Sequence, residues 1–169
     1  MFQRMIRAAS LDVSLYEEVE HDTSATMQAL QVVILISVLE GIGEGVGTRR
    51  LGGLLLGILS SLGGWALWSF ITYWIGTRMF AGTATYGELL RTIGFAYSPR
   101  ALLLFSFLPF LGGLLVIVVF VWTLISGVVA VRQALDVSTD KAVFTCILGW
   151  LASLVTFGAL AFLGQFLGY

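Results

Sequence analysis

The run from Ala101 to Val131 holds thirty-one residues and not one formal charge. One bilayer crossing takes about 20 apolar residues, so the run is too long for a single ordinary span. Pro109 interrupts it, and Gly112-Gly113 follow almost at once. Proline removes a backbone donor and clashes with the preceding turn, while paired glycines let a chain reverse. Read as one span, the run gives a four-helix protein. Folded back at Pro109–Gly113, it gives five. Either way the chain is a polytopic membrane protein: it is 58% hydrophobic and 11% charged, where soluble domains carry about 25% charged residues. Its first partner is therefore the lipid bilayer.

Several function classes fall away on composition. A net charge of -1 supplies no dense basic face for nucleic acid. Cys146 is the single cysteine, which excludes an intrachain disulfide and a thiolate metal cluster; among apolar neighbours it reads as packing. His21, the single histidine, stands between Glu20 and Asp22 and reads as a solvated side chain rather than a ligand. No metal, cofactor or catalytic set is expected. Arg4 and Arg7 stand where a signal peptide has its basic region, but Asp12, Ser14, Glu17 and Glu18 occupy the place of its apolar core.

Residues 1–24 are the most polar stretch. Phe2, Met5, Ile6, Ala9, Val13 and Tyr16 recur at three- and four-residue spacing, the pattern of an amphipathic helix. The residues leave open whether that face lies in the headgroup region or packs on the protein's own helices. Asp22, Thr23 and Ser24 offer caps for a first span, about 26–43. Glu40 and Glu44 at its end are placed to pair with Arg49 and Arg50. A second span, about 51–77, carries Gly53, Gly57 and Ser61 four residues apart, a smooth face for close helix contact, within the chain or with a second copy. Thr85-Tyr86-Gly87-Glu88 reads as a capping box, predicting a short surface helix from Tyr86 towards Tyr97. Ser98-Pro99 ends it, because the residue before proline resists helical geometry. Spans three to five are expected at about 97–110, 114–135 and 142–166, the last capped by Ser138-Thr139-Asp140.

Lysine and arginine collect on cytoplasmic loops. With five spans, Arg4, Arg7, Arg78, Arg91, Arg100, Arg132 and Lys141 share one side, and only Arg49 and Arg50 face the other. With four spans the split is five to four. The charge therefore favours five crossings, with a cytoplasmic N-terminus and the C-terminus on the opposite side. The third span is the weak one: fourteen residues at 1.5 Å each reach about 21 Å, short of a core about 30 Å thick.

Residues 80–99, with Gly94-Phe95-Ala96-Tyr97-Ser98-Pro99 at their end, and residues 130–142 resemble the corresponding connections of the Yip family, the Rab/Ypt-interacting polytopic membrane proteins. The resemblance runs from about Tyr16 to the last span. It implies a five-span helical protein with a cytoplasmic N-terminus. In eukaryotic relatives it implies a non-enzymatic role in vesicle traffic: membrane shaping, self-association and contact with Rab-type GTPases. Those relatives carry a long cytoplasmic N-terminal domain; this chain has about 24 residues there and looks more like the short prokaryotic members.

An enzyme needs a convergent acid/base or nucleophile pair. The cytoplasmic face presents Arg78, Glu88, Arg91, Arg100, Arg132 and Asp136, with no histidine partner and no metal-ligand spacing. These six are read as a weak interaction face. The expected function is a non-enzymatic membrane organiser or scaffold acting through helix–helix and partner contacts. The alternative is an accessory transmembrane subunit of a larger respiratory or photosynthetic complex. A small transporter or channel comes third: Pro109 and Gly112-Gly113 supply a broken helix, but the run around them has little polar lining.

Overall fold

The structure, a computed structural model, describes the backbone of residues 1–48 and 54–166 and the side chains of 1–43 and 54–156. Among the described residues it is helical throughout, without strands. Seven α-helices occur: α1 Phe2–Ala9, α2 Val13–His21, α3 Ala25–Thr48, α4 Leu54–Phe80, α5 Tyr86–Ala96, α6 Leu111–Leu135 and α7 Thr139–Phe166. A 3-10 helix, Ser98–Phe105, lies between α5 and α6. Among the described residues, four helical stretches are long and apolar enough to cross a membrane: Ala25–Gly43, Leu54–Phe80, Leu111–Leu135 and Thr139–Thr156.

Local chemistry explains most boundaries. Leu11 adopts φ 60, so the N-terminal segment is two helices with a turn, not one. Asp12 caps α2 by accepting from the Ser14 amide at 3.0 Å, which satisfies one of the helix's orphan donors. The capping box expected at α5 is present in both halves: the Glu88 amide donates to Thr85 Oγ1 and the Thr85 amide to Glu88 Oε2. At the other end of α6, Asp136 sits in the left-handed region at φ 53, a position a short polar residue tolerates.

Three glycine contacts locate the ends of the bundle. A Cβ on Gly82 would strike Leu135 at 2.8 Å, so the end of α6 meets the connection after α4. Here too the chain turns from α6 into α7. A Cβ on Gly43 would overlap the Leu103 carbonyl, and one on Gly112 the Ser106 carbonyl. The end of the first apolar stretch, the end of the 3-10 helix and the start of α6 are therefore neighbours at the opposite end. The first end, where Gln133 of α6 meets Glu17 of α2, is the proximal end, and the second is the distal end.

Between these ends the expected third span, a helix over 97–110, is replaced by α5, the 3-10 helix and a turn. Pro99 stands in the first turn of the 3-10 helix, where its missing N–H costs nothing. Phe110 adopts φ 66 and is fully exposed, so α6 starts at Leu111 rather than 114. Nor does α5 lie along the surface. Residues 91–99 are buried throughout, the Trp65 indole donates to the Leu90 carbonyl at 3.0 Å, and a Cβ on Gly94 would meet Ala29 at 2.8 Å. The helix is wedged between α3 and α4.

Gly57, of the small-residue face expected on the second span, is not where the described helices of this chain approach. A Cβ on Gly57 would meet nothing within 4 Å, and its neighbours Leu55, Leu56 and Leu59 are exposed. Gly53 lies outside the described residues, as do Arg49, Arg50 and the side chain of Glu44, so their expected ion cluster is not described. Cys146 is buried against Trp68, whose indole donates to the Cys146 carbonyl at 3.3 Å, and faces Gly127.

Candidate functional site

The polar chemistry of the molecule gathers in two places: the layer formed by α1 and α2, and the broken segment Tyr86–Phe105 that threads the bundle. Both are built from residues that fold the chain before they can do anything else.

The N-terminal layer docks by its apolar face. Met5, Ala8, Leu15, Tyr16 and Val19 are buried, which places this part of the amphipathic pattern against the protein. Tyr16 Oη lies 2.6 Å from Ser126 Oγ of α6, and the Trp122 indole donates to the Ala9 carbonyl at 2.8 Å. Gln133 donates to Glu17 at 2.9 Å. Burial without a full-charge partner pushes the Tyr16 hydroxyl well above its ordinary value, with the Ser126 bond opposing. Phe2 and Ile6, at 65% and 68% exposure, form the outward apolar part of α1.

A network of arginines holds the two short helices together. Arg4 donates to Glu18 at 2.9 Å, to Asp22 at 2.9 Å and to Gln28 of α3 at 3.1 Å. Arg7 donates to Asp12 at 2.7 Å, to Glu18 and to Ser14 at 3.0 Å. Hydrogen bonds from Ser14 and Arg7 hold the Asp12 carboxyl down at about 2, and Arg7 and Arg4 lower Glu18 likewise. Glu20 goes the other way. Burial pushes it up to about 7; His21 opposes, Asp136 and Glu88 reinforce the rise, and Arg91 opposes.

Arg91 ties this layer to the broken segment. It is 6% exposed, and its Nε donates to the Val19 carbonyl at 2.9 Å, its Nη2 to the Glu20 carbonyl and its Nη1 to Thr26 Oγ1 at 3.4 Å. The last carbonyls of a helix have no intrahelical partner and carry partial negative charge. A guanidinium from α5 thus caps the C-terminus of α2. Farther along, Arg100 grips Glu40 of α3 with two parallel bonds, Nε to Oε1 at 2.7 Å and Nη2 to Oε2 at 3.0 Å. Its guanidinium also lies 4.7 Å from the centroid of the Tyr97 ring.

Five of the six side chains expected to form one cytoplasmic face stay around the proximal end, with Glu88, Arg91 and Asp136 close enough to Glu20 to act on its charge, and only Arg100 leaves it. Glu88 closes a capping box, Arg91 is buried as a helix cap, and Arg100 is paired towards the distal end. Asp136 accepts from Thr83 Oγ1 at 3.1 Å. Arg78 and Arg132 are exposed at the proximal end. Sequence spacing missed Tyr16, Ser126 and Trp122, whose partners lie more than a hundred residues apart. Among the described residues no cluster of three histidine, cysteine or acidic side chains is placed to hold a metal.

Searches of curated proteins and of solved structures find no match. A family model does match: the Yip1 domain, over residues 16–160. That stretch takes in the docking helix α2 from Tyr16 onward, the broken segment, α3, α4 and α6 entire and α7 as far as residue 160, and on it the chain belongs to the Yip1 domain family, as an integral membrane protein.

Proposed function

We propose that this protein is a non-enzymatic membrane organiser that works through its surfaces, by self-association or by contact with other membrane proteins. The observation that carries this reading is the fate of the polar side chains. Glu88, Arg91 and Arg100 are consumed in caps and pairs that hold the fold, so they do not converge on a reacting centre. What is left outward is contact surface: the Gly57 face of α4 with Leu55, Leu56 and Leu59, and the exposed Arg78 and Arg132. A small-residue face open on its outer side suits close packing by a helix of another molecule. Membership of the Yip1 family, whose eukaryotic resemblance implies roles in vesicle traffic, supports the same reading.

We further propose five crossings with a cytoplasmic N-terminus. The support is that the chain passes from the proximal end at Gly82 to the distal end at Ser106 through α5 and the 3-10 helix, so that a broken segment does the work of a third span. Irregular backbone at membrane depth is tolerated where protein covers it, and residues 91–99 are buried.

The test is purification in mild detergent with mass spectrometry of what travels along, followed by crosslinking of Gly57→Leu. Homo-oligomers or a defined set of membrane partners, lost in the variant while the fold survives, are the expected result. Unchanged crosslinking in the variant removes the Gly57 face from the proposal. Co-migration of the native chain with one large respiratory or photosynthetic assembly replaces the organiser by the accessory-subunit reading.

A further inference from the structure

A cavity of about 240 Å³ opens between α4, α6, α7 and the broken segment. Its inner wall is Trp68, Tyr97 and Val119, which are 4%, 5% and 1% exposed. Its mouth is on the outer face of the bundle, where Phe120 of α6 and Trp150 of α7 stand with ring centroids 5.1 Å apart and Val116 is half exposed. The walls are apolar and aromatic, the usual lining of a small-molecule site. Three of the cavity's polar groups are Thr123, Arg100 and the Tyr97 hydroxyl, which is itself hydrogen-bonded to Arg100. Thr123, nine-tenths buried, lines the cavity, and its Oγ1 has no hydrogen-bond partner. Arg100 lines it as well, with Nε and Nη2 given to Glu40, which leaves Nη1 outside the pair.

The polarity of the cavity runs along the bundle. Glu40, and with it Arg100, is three residues from Gly43 at the distal end, about 4.5 Å of helix rise. The α6 lining residues Val116 to Leu124 lie four to twelve residues from Gly112, about 6 to 18 Å deeper. A donor therefore stands near the distal surface, and apolar wall extends inward from it. Whatever enters through the Phe120–Trp150 mouth enters from the hydrocarbon of the bilayer.

We infer that this cavity holds one acyl chain of a bilayer lipid from the distal leaflet, with the chain's ester carbonyl against Arg100 and its methylenes running inward between Trp68, Val119 and Trp150. The lipid acts as a structural ligand wedged between α6 and the broken segment, and it fills space that the side chains leave open. Nothing in this assignment depends on the organiser function.

The full chain in phosphatidylcholine nanodiscs, doped with a phosphatidylcholine bearing a photoactivatable diazirine midway along one acyl chain, tests the assignment by peptide mapping after illumination. Annular lipid reaches outward side chains such as Leu55 and Leu151, but not Trp68, Tyr97 or Val119. Labelling of these three inner residues is the expected result, and Val119→Phe, which fills the cavity, reduces it about tenfold while Leu55 and Leu151 label as before. Thr123→Leu serves the same purpose should Val119→Phe lose its monodisperse elution. Labelling confined to outward residues overturns the inference. So does labelling of the inner residues that neither filling variant lowers, and so does inner labelling by a diazirine fatty acid of equal length but not by the phospholipid, which would make the occupant a free acid.

Discussion

Arg91 shows how one side chain decides whether the N-terminal layer stays docked. Removing it strips two carbonyls at the end of α2 of a charged donor in a buried site, and hydrogen bonds to charged groups contribute about 1.5–3 kcal/mol. Arg91→Met, which keeps much of the apolar stem, should therefore cost about 2–3 kcal/mol. The loss should appear as faster amide exchange over 13–21 with little change in the distal half of α6. Acid and base act on the same layer through different groups. Asp12, Glu18 and Asp22 are lowered in the folded chain by their arginine and serine partners. Their contribution is whole above their ordinary values and is lost as pH falls towards about 2, the folded value of Asp12. Glu20 is raised to about 7, so its contribution is whole below its ordinary 4.5 and is lost as pH rises through 7. A spin label at Ser10 should be least mobile near about pH 5, and Glu20→Gln should flatten the rise in mobility between there and neutrality.

At the level of elements, the broken segment depends on close approach at the distal end. Gly43→Leu or Gly112→Leu would force a side chain into the carbonyls of Leu103 or Ser106. Overpacking of this kind costs about 1–3 kcal/mol or more, read as a lower melting temperature in detergent. Gly57→Leu meets open space and should leave the melting temperature of the isolated chain unchanged; a fall of the same size would show that the face is packed within the chain after all. The capping box and the proline break were legible in Thr85–Glu88 and Ser98-Pro99 because both are local chemistry. The 3-10 geometry of Ser98–Phe105 was not. An apolar run has the same composition in either helix, and eight residues exceed the usual length of a 3-10 turn. Contacts with α3 and α6 stabilise it, and those come from residues sixty positions before and a few turns after.

For the whole molecule the issue is how many times the chain crosses. Single cysteines at Ser10, Phe110 and Ser138, beside the buried Cys146, should label with a membrane-impermeant maleimide so that Ser10→Cys and Ser138→Cys share one side and Phe110→Cys takes the other. Ser10→Cys and Ser138→Cys on opposite sides would overturn the five-crossing proposal and its cytoplasmic N-terminus. The charge count anticipates this arrangement from seven arginines and lysines, but one of the seven, Arg100, lies towards the distal end in its pair with Glu40, and Arg4 and Arg7 are held in ion pairs as well.

Hydropathy and local caps alone determined that the chain is a helical membrane protein, where α5 begins and where it ends. These are properties of consecutive residues, and each carries its own free energy wherever the chain goes. Tertiary structure alone decided that the amphipathic N-terminus splits in two and docks by Tyr16 and Ser126, that Arg91 and Arg100 bind inward instead of facing solvent, and that Gly43, Gly82, Gly94 and Gly112, but not Gly57, are points of close approach. Each of those depends on which distant carbonyl, carboxylate or ring meets the side chain. A guanidinium reads the same in sequence whether it caps a helix or waits for a partner.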